Sequence, residues 1–333
     1  MSKTIGWDIG GAHLKAVLLE DSKAPQALQI PCELWRGLDR LEAACNQALS
    51  AFNVKDALHA VTMTGELVDL FANRREGVLE ISKLVSNLLG KNVKFYAAGV
   101  GFVPLESVAA HAERIASANW HASASLLAKH AQNALFVDIG STTTDIVPII
   151  NSNVAASTDA QRMANDKLVY TGITRTPVMA LAQKLYFEGA EVNVAAEYFA
   201  TMADVYRLTG DLRPENDLAE TADGKGKTAQ ESARRLARMV GQDVEDKPME
   251  TWENLAQTCK NAQMSQIKQA ILKHHKFATP IIGAGAGAFL AAEIARELKV
   301  EYISISQALA VDLDENLAVC FPAYAVARLA TEC

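Results

Sequence analysis

The sequence has no CxxC pair, no apolar run long enough to span a bilayer and no excess of positive charge. Its five cysteines stand at 32, 45, 259, 320 and 333. An odd, scattered set argues against a disulfide framework or a structural zinc knuckle. The longest apolar stretch, residues 281–292, is interrupted by three glycines and falls far short of the ~20 residues of a membrane span. The opening Met-Ser-Lys-Thr-Ile-Gly-Trp-Asp lacks the apolar core of a secretory signal. Lys and Arg number 32 against 39 Asp and Glu, a net charge of −7, and no basic run offers the phosphate contacts that dominate nucleic-acid affinity. The seven histidines show no HExxH spacing. The expectation is a soluble, cytoplasmic protein that binds neither nucleic acid nor membrane, with any anionic ligand held locally against an acidic average.

What is present can build cores. Half of the 333 residues are hydrophobic and 21% are charged, a balance that supports about two domains. Residues 4–9 read as a strand entering Gly10-Gly11, and residues 14–19 as its return, which makes a hairpin. The device recurs 130 residues on, as Asp138 against Asp8: residues 134–140 lead into Ser141-Thr142-Thr143-Thr144, and 145–150 return. Between the copies, helical periodicity covers 38–52, 78–89 and 108–130, with strands at 60–65 and 93–96. Beyond them, Thr176-Pro177 opens a helix reaching about 187. Further helices are expected at 193–208, 229–239 and 249–273, with 209–227 as a mobile loop. A strand at 280–282, a glycine loop at 283–287, a helix at 288–298, a strand at 302–304 and a helix at 316–330 complete the chain. The alternation predicts an α/β class in two duplicated domains around a central cleft. The first spans 1–130, joined by the C-terminal helix 316–331; the second spans 131–315, with a helical insertion at about 176–275.

The hairpins carry the first chemical signal. A carboxylate at a strand end, followed by Gly-Gly or by Gly and a run of hydroxyls, surrounds a concavity with N–H groups and hydroxyls that suit phosphate, while the Asp can hold hydrated Mg²⁺. Two ordinary β-turns are the bland alternative, weakened by the duplication. Gly283, Gly285 and Ala288 fit a G-x-G-x-x-A fingerprint, but too little chain follows for a dinucleotide domain and no acidic residue ends the next strand. Close approach of a ligand, or tight helix-to-strand packing, explains these glycines. The run Gly224-Lys225-Gly226-Lys227-Thr228 lacks the first glycine of a P-loop and reads as a flexible basic loop or a lid.

Two Asp-x-Gly hairpins and a C-terminal strand, glycine loop and helix resemble the nucleotide-binding signatures of the actin, sugar kinase and 70-kDa heat-shock ATPase superfamily. This is the actin-like ATPase (ribonuclease H-like) fold. The form of residues 137–146 resembles its hydantoinase/oxoprolinase branch. Met63-Thr64-Gly65-Glu66-Leu67, Ala118-Asn119-Trp120, and the runs 170–177, 197–206 and 235–239 are similar to the tetrahydromethanopterin-linked C1-transfer pathway proteins. These are related to the archaeal synthase of the aminomethylfuran phenyl-ether core of methanofuran.

That resemblance implies a transferase that joins an aminomethyl-furanmethanol diphosphate to a γ-glutamyl-tyramine phenol and releases diphosphate, in methanofuran or methylofuran biosynthesis. It makes Mg²⁺ the expected cofactor, with ATP or ADP possible but not required, and small molecules the partners; a homodimer is one option for the assembly. Asp8 and Asp138 are the candidates for Mg²⁺ and catalysis. Gly10, Gly11, Gly140, Ser141, Thr142, Thr143, Gly283, Gly285 and Gly287 are the candidates for diphosphate or nucleotide, with Lys15 as either a phosphate contact or a solvated lysine. Asp145 is a base, a metal partner or a structural carboxylate, and Glu66 a loop-tip carboxylate facing a cleft or a surface residue. Arg175 can hold a carboxylate or phosphate bidentately. Trp120 stacks on substrate or packs in the core. Glu197, Thr201 and Asp204 share one helix face, lining the acceptor pocket or facing solvent. His13 is the one histidine placed near a hairpin turn. The competing readings are an ATP-dependent kinase or hydantoinase-like enzyme of the same fold, and a regulatory ATPase.

Overall fold

The computed structural model describes residues 3–54, 56–276 and 279–332. Its chain forms two compact units: Met1–Phe136, Val147–Ala164 and Ile303–Cys333 make the first, and Val137–Ile146 with Asn165–Tyr302 make the second.

The first unit is built on strands β1 (Lys3–Ile9), β2 (His13–Glu20), β3 (Gln26–Pro31), β4 (Leu58–Met63), β5 (Val93–Ala97) and β6 (Gly101–Val103). They lie in the order β3-β2-β1-β4-β5-β6. The first three form an antiparallel meander, and β4 runs parallel to β1. The central strand β1 is buried on both faces, with Ile5, Trp7 and Ile9 fully inaccessible, as a strand covered on two sides must be. Helix Phe321–Thr331 packs on β1, and helices Leu38–Phe52 and Arg74–Leu89 pack together in the same unit. The expected closing helix is two helices, Glu315–Val319 and Phe321–Thr331. Pro322 lacks the N–H that a continuous helix would need there, but it fits the first turn of a new one.

The second set of strands comprises β7 (Asn133–Ile139), β8 (Thr144–Ile150), β9 (Leu168–Val169), the small hairpin β10 (Lys184–Phe187) and β11 (Ala190–Asn193), then β12 (Ile281–Ala284) and β13 (Tyr302–Ser304). Its main sheet runs β13-β12-β7-β8-β9. Counted from the third strand of the meander, both sheets follow the order third, second, first, fourth, fifth. The duplication expected from two Asp-Ile-Gly hairpins is therefore a duplication of sheet architecture.

Around the second sheet, three expectations are corrected. The helix opening at Pro177 ends after one turn, Val178–Leu181, and the chain turns into β10. Residues 193–208 are helical only over Met202–Thr209, because Thr201 and Asp204 form a capping box that starts the helix there. The segment 209–227 is tied down rather than loose: Arg207 holds Asp217 through two bonds of 2.7 Å, Arg235 holds Asp223 at 3.0 Å, and Lys227 lies 3.3 Å from Asp217. Among the described residues no helix is long and apolar enough to cross a membrane, and four cysteines are buried free thiols.

Two buried histidines make the first unit acid-sensitive. Trp7 donates its indole N–H to His59 Nδ1 at 3.1 Å, and the Tyr96 hydroxyl meets His121 Nδ1 at 2.9 Å. Burial lowers both histidines to about 4. Below the ordinary 6.5 the unfolded chain takes up protons that the folded chain refuses, so stability is intact above 6.5 and falls as pH drops towards 4. The limit is roughly 3 kcal/mol per histidine. Denaturant melts between pH 7 and 4 should show this loss, and His59→Gln should flatten part of it; an unchanged slope in that variant would count against His59.

Candidate functional site

In the first unit the hairpin turn between β1 and β2 is closed by the Gly10 N–H, which donates to the His13 carbonyl at 3.0 Å. Asp8 is buried and sits opposite Lys15 in the β1–β2 register; Lys15 is half-buried. His13 is also buried. The Thr64 N–H donates to the Ile9 carbonyl at 2.9 Å, which brings the end of β4 beside the hairpin.

Two residues further on, Glu66 is not a surface residue: it is 1% exposed, in a short 3₁₀ turn, Gly65–Leu67, that follows β4. One carboxylate oxygen accepts the Ser117 hydroxyl at 2.8 Å, and the other is buried without a hydrogen-bond partner. Burial raises its pKa from the ordinary 4.5 to about 7, against the opposing pull of Ser117 and Arg74. Trp120 is buried as well, and the Arg162 guanidinium lies 4.0 Å from its ring centre.

In the second unit the structure gathers three of the predicted segments. The turn after β7 is closed by the Gly140 N–H to the Thr143 carbonyl at 2.9 Å, with Ser141, Thr142 and Thr143 half-buried. The segment 172–175 wraps this turn. Ile173 N–H donates to Gly140 O at 3.0 Å, while Thr174 and Arg175 N–H donate to Ser141 O at 3.1 and 2.9 Å. A Cβ on Gly172 would lie 2.5 Å from Ser141 C and Thr142 N, so only glycine permits this approach. The Arg175 backbone is thereby fixed beside the hydroxyl turn, with its side chain exposed.

Behind them stands Gln263, fully buried on the long helix Met249–His274. Its amide donates to Thr171 Oγ1 at 2.7 Å and to Gly172 O at 2.9 Å, and it accepts the Tyr206 hydroxyl. Sequence reasoning missed Gly172 as a packing residue and Gln263 altogether. A lone Gln in a long helix carries no pattern that marks it.

The third segment is the glycine loop. Gly285 has φ +78°, and a Cβ there would collide with Asp138 Oδ1, so the loop runs against the predicted metal carboxylate. Asp138 is 9% exposed. The other two glycines answer to packing instead: a Cβ on Gly283 would strike the Tyr302 ring at 2.6 Å, and one on Gly287 would strike the Ile139 side chain. Asp145 is half-buried and lies opposite Leu168 across β8–β9.

The acidic stripe does not form. Glu197 is exposed and precedes the helix, and Thr201 is its N-cap. Asp204 is fully buried, bound to Arg207 and Arg235 at 2.8 Å each. Its role is to hold the segment 209–227, since removing one partner of a buried ion network leaves the other charge unpaired.

A duplicated sheet order, with an Asp-x-Gly hairpin at the centre of each sheet, is that of the actin-like ATPase fold. Among solved structures, nucleotide-free acetone carboxylase matches over 97% of this chain and 70% of its own, with a TM-score of 0.57 at 10% identity. The hydantoinase/oxoprolinase family model matches residues 57–332, and the chain belongs to that family. It is 31% identical over 331 residues to the (4-{4-[2-(γ-L-glutamylamino)ethyl]phenoxymethyl}furan-2-yl)methanamine synthase of Methanocaldococcus jannaschii, covering 98% of this chain and 96% of that one. It is 35% identical over 114 residues to the synthase of the same name from Methanococcus vannielii, covering 34% of this chain and 51% of that one.

Two measurements check these placements. A carboxyl whose folded pKa is raised stabilises below the unfolded value and loses that contribution as pH rises through the folded one. The stability difference between Glu66→Gln and wild type should therefore shift in favour of the variant from pH 4.5 to 7, by roughly 3 kcal/mol; a pH-independent difference would remove the assignment. Gly172→Ala should cost about 1–3 kcal/mol in denaturant melts; an unchanged midpoint would count against the close approach.

Proposed function

We propose that the protein is a transferase of methanofuran-type cofactor biosynthesis. It condenses an aminomethyl-furanmethanol diphosphate with the phenol of a γ-glutamyl-tyramine acceptor and releases diphosphate. The carrying observation is the end-to-end similarity to the M. jannaschii synthase, at 31% identity, whose name describes a phenoxymethyl-furan, that is, an aryl ether. Such an ether forms when a phenol oxygen displaces a leaving group from the furan methylene. The furan ring stabilises a partly cationic carbon there, so the protein's share is leaving-group stabilisation and alignment of the phenol.

The hydroxyls of Ser141, Thr142 and Thr143 and the guanidinium of Arg175 receive the diphosphate in this reading. Gly140 allows close backbone approach on the same turn. Mg²⁺ asks for one or two carboxylates, phosphate oxygens and water rather than an all-protein cage. The residues fit that demand. Among the described residues no three His, Cys, Asp or Glu side chains cluster to hold a metal alone, while Asp138 Oδ1 occupies the space that the missing Cβ of Gly285 leaves open. Asp138 would hold the ion, which when bound neutralises charge on the departing oxygen. The reaction as written does not require ATP.

Incubating the protein with furfuryl diphosphate, Mg²⁺ and tyramine should release diphosphate only when both organic substrates are present, without ATP. Arg175→Ala should lower kcat/KM by about 10–1,000-fold, the range for removing one charge-stabilising donor. ADP formed from ATP without acceptor, or release that requires ATP, would instead place the protein among ATP-using enzymes of the same fold.

A further inference from the structure

The first unit contains a cavity of about 220 Å³. Ser117, Trp120, Glu113, Arg114, Thr158 and Gln161 are among its walls. Ser117 stands at φ +50°, a left-handed conformation that side chains other than Asn, Asp and Gly rarely adopt and that clusters at functional sites. Its hydroxyl donates to the buried Glu66 carboxylate at 2.8 Å, and the second oxygen of that carboxylate is buried and unpartnered. The cavity wall therefore carries a hydroxyl already coupled to a proton acceptor.

The aromatic wall is equally fixed. Arg162, 2% exposed, covers the Trp120 ring and pairs with Asp159 at 3.5 Å; Asp159 also takes Arg74 at 2.9 Å. A volume of 220 Å³ lies below the ~300–1,000 Å³ of pockets for drug-sized ligands, which suits one ring with a short chain and is too small for a nucleotide. Glu113 and Arg114 supply opposite charges of the kind an ammonium and a carboxylate would meet.

We infer that this cavity is the acceptor site and takes the phenol end of a tyramine-type acceptor, its ring against Trp120 and its O–H on Ser117 Oγ. The inference rests on the proposed ether-forming reaction. In the step it implies, the phenol O–H bond breaks as its proton passes to Ser117 Oγ, and Ser117 delivers its own proton to Glu66 Oε1. The freed oxygen pair forms the bond to the furan methylene carbon, and the pair of the breaking C–O bond leaves with diphosphate. Ser117 is then a catalytic residue that touches the substrate, and Glu66 acts through it.

The test titrates the purified protein calorimetrically with tyramine and with phenethylamine, which lacks the phenol hydroxyl. Tyramine should bind at least 10-fold more tightly than phenethylamine, because a site built around a hydroxyl rejects the analogue without it. Ser117→Gly removes the hydroxyl and also relieves the left-handed backbone, and the folded variant should bind the two amines alike. Glu66→Gln should lower kcat by about 100-fold at unchanged tyramine KM. Equal binding of the two amines by wild type, or wild-type tyramine affinity in Ser117→Gly, overturns the inference. If tyramine-dependent diphosphate release survives in both variants at wild-type kcat, the acceptor lies elsewhere and the ether-forming reaction stands. If tyramine binds through Ser117 but no diphosphate is released from furfuryl diphosphate, the site stands and the reaction fails.

Discussion

The second unit depends on one close approach, the packing of Gly172 against the turn that carries Ser141 and Thr142. A backbone at 2.5 Å from where a Cβ would be leaves no tolerance, and everything around it follows from holding that distance. The N–H groups of 173–175 satisfy the carbonyls of Gly140 and Ser141, so the turn's acceptors are occupied on the protein side and its hydroxyls are left to define the other. Gln263 fixes the wrapping segment from behind by bonding both Thr171 and Gly172. A buried amide of this kind is costly unless each of its groups is satisfied, and here the Tyr206 hydroxyl completes the set. The hydroxyl turn is preorganised by backbone and by a buried polar chain rather than by charge.

In the first unit the governing constraint is electrostatic. Glu66 is a carboxyl enclosed almost completely, with a single hydroxyl donor, and burial outweighs the attraction of Arg74. A carboxyl held near neutrality is unusual in a protein whose other acidic groups are mostly exposed, and such groups gather at functional sites. The neighbouring ion cluster works differently: Asp159 faces two guanidiniums, so its charge is compensated and its part is to hold Arg162 over Trp120.

Much of the fold was legible because it is written in periodicity and punctuation. The helices Leu38–Phe52, Ala229–Arg238, Met249–His274 and Ala288–Leu298 end within a residue or so of where apolar spacing and turn residues put them. The misreadings share a cause. Residues 176–208 carry helix-forming side chains, but a capping box at Thr201 and Asp204 and the β10–β11 hairpin divide them, and tertiary pairing overrides propensity. Residues 209–227 look loose because they are rich in Gly, Asp and Lys, yet their acids are partners of Arg207 and Arg235. Which charges meet is not visible along a chain.

The sequence by itself determined the duplication, the two Asp-Ile-Gly hairpins and the net negative charge, because each of these is a local pattern or a sum over composition. The tertiary structure alone decided which glycines serve packing and which stand by a carboxylate, as Gly283 meets Tyr302 while Gly285 meets Asp138. It alone buried Glu66 and joined it to Ser117, 51 positions away. A proton affinity depends on the water excluded and the dipoles gathered around a group, and those are brought together only when distant segments pack.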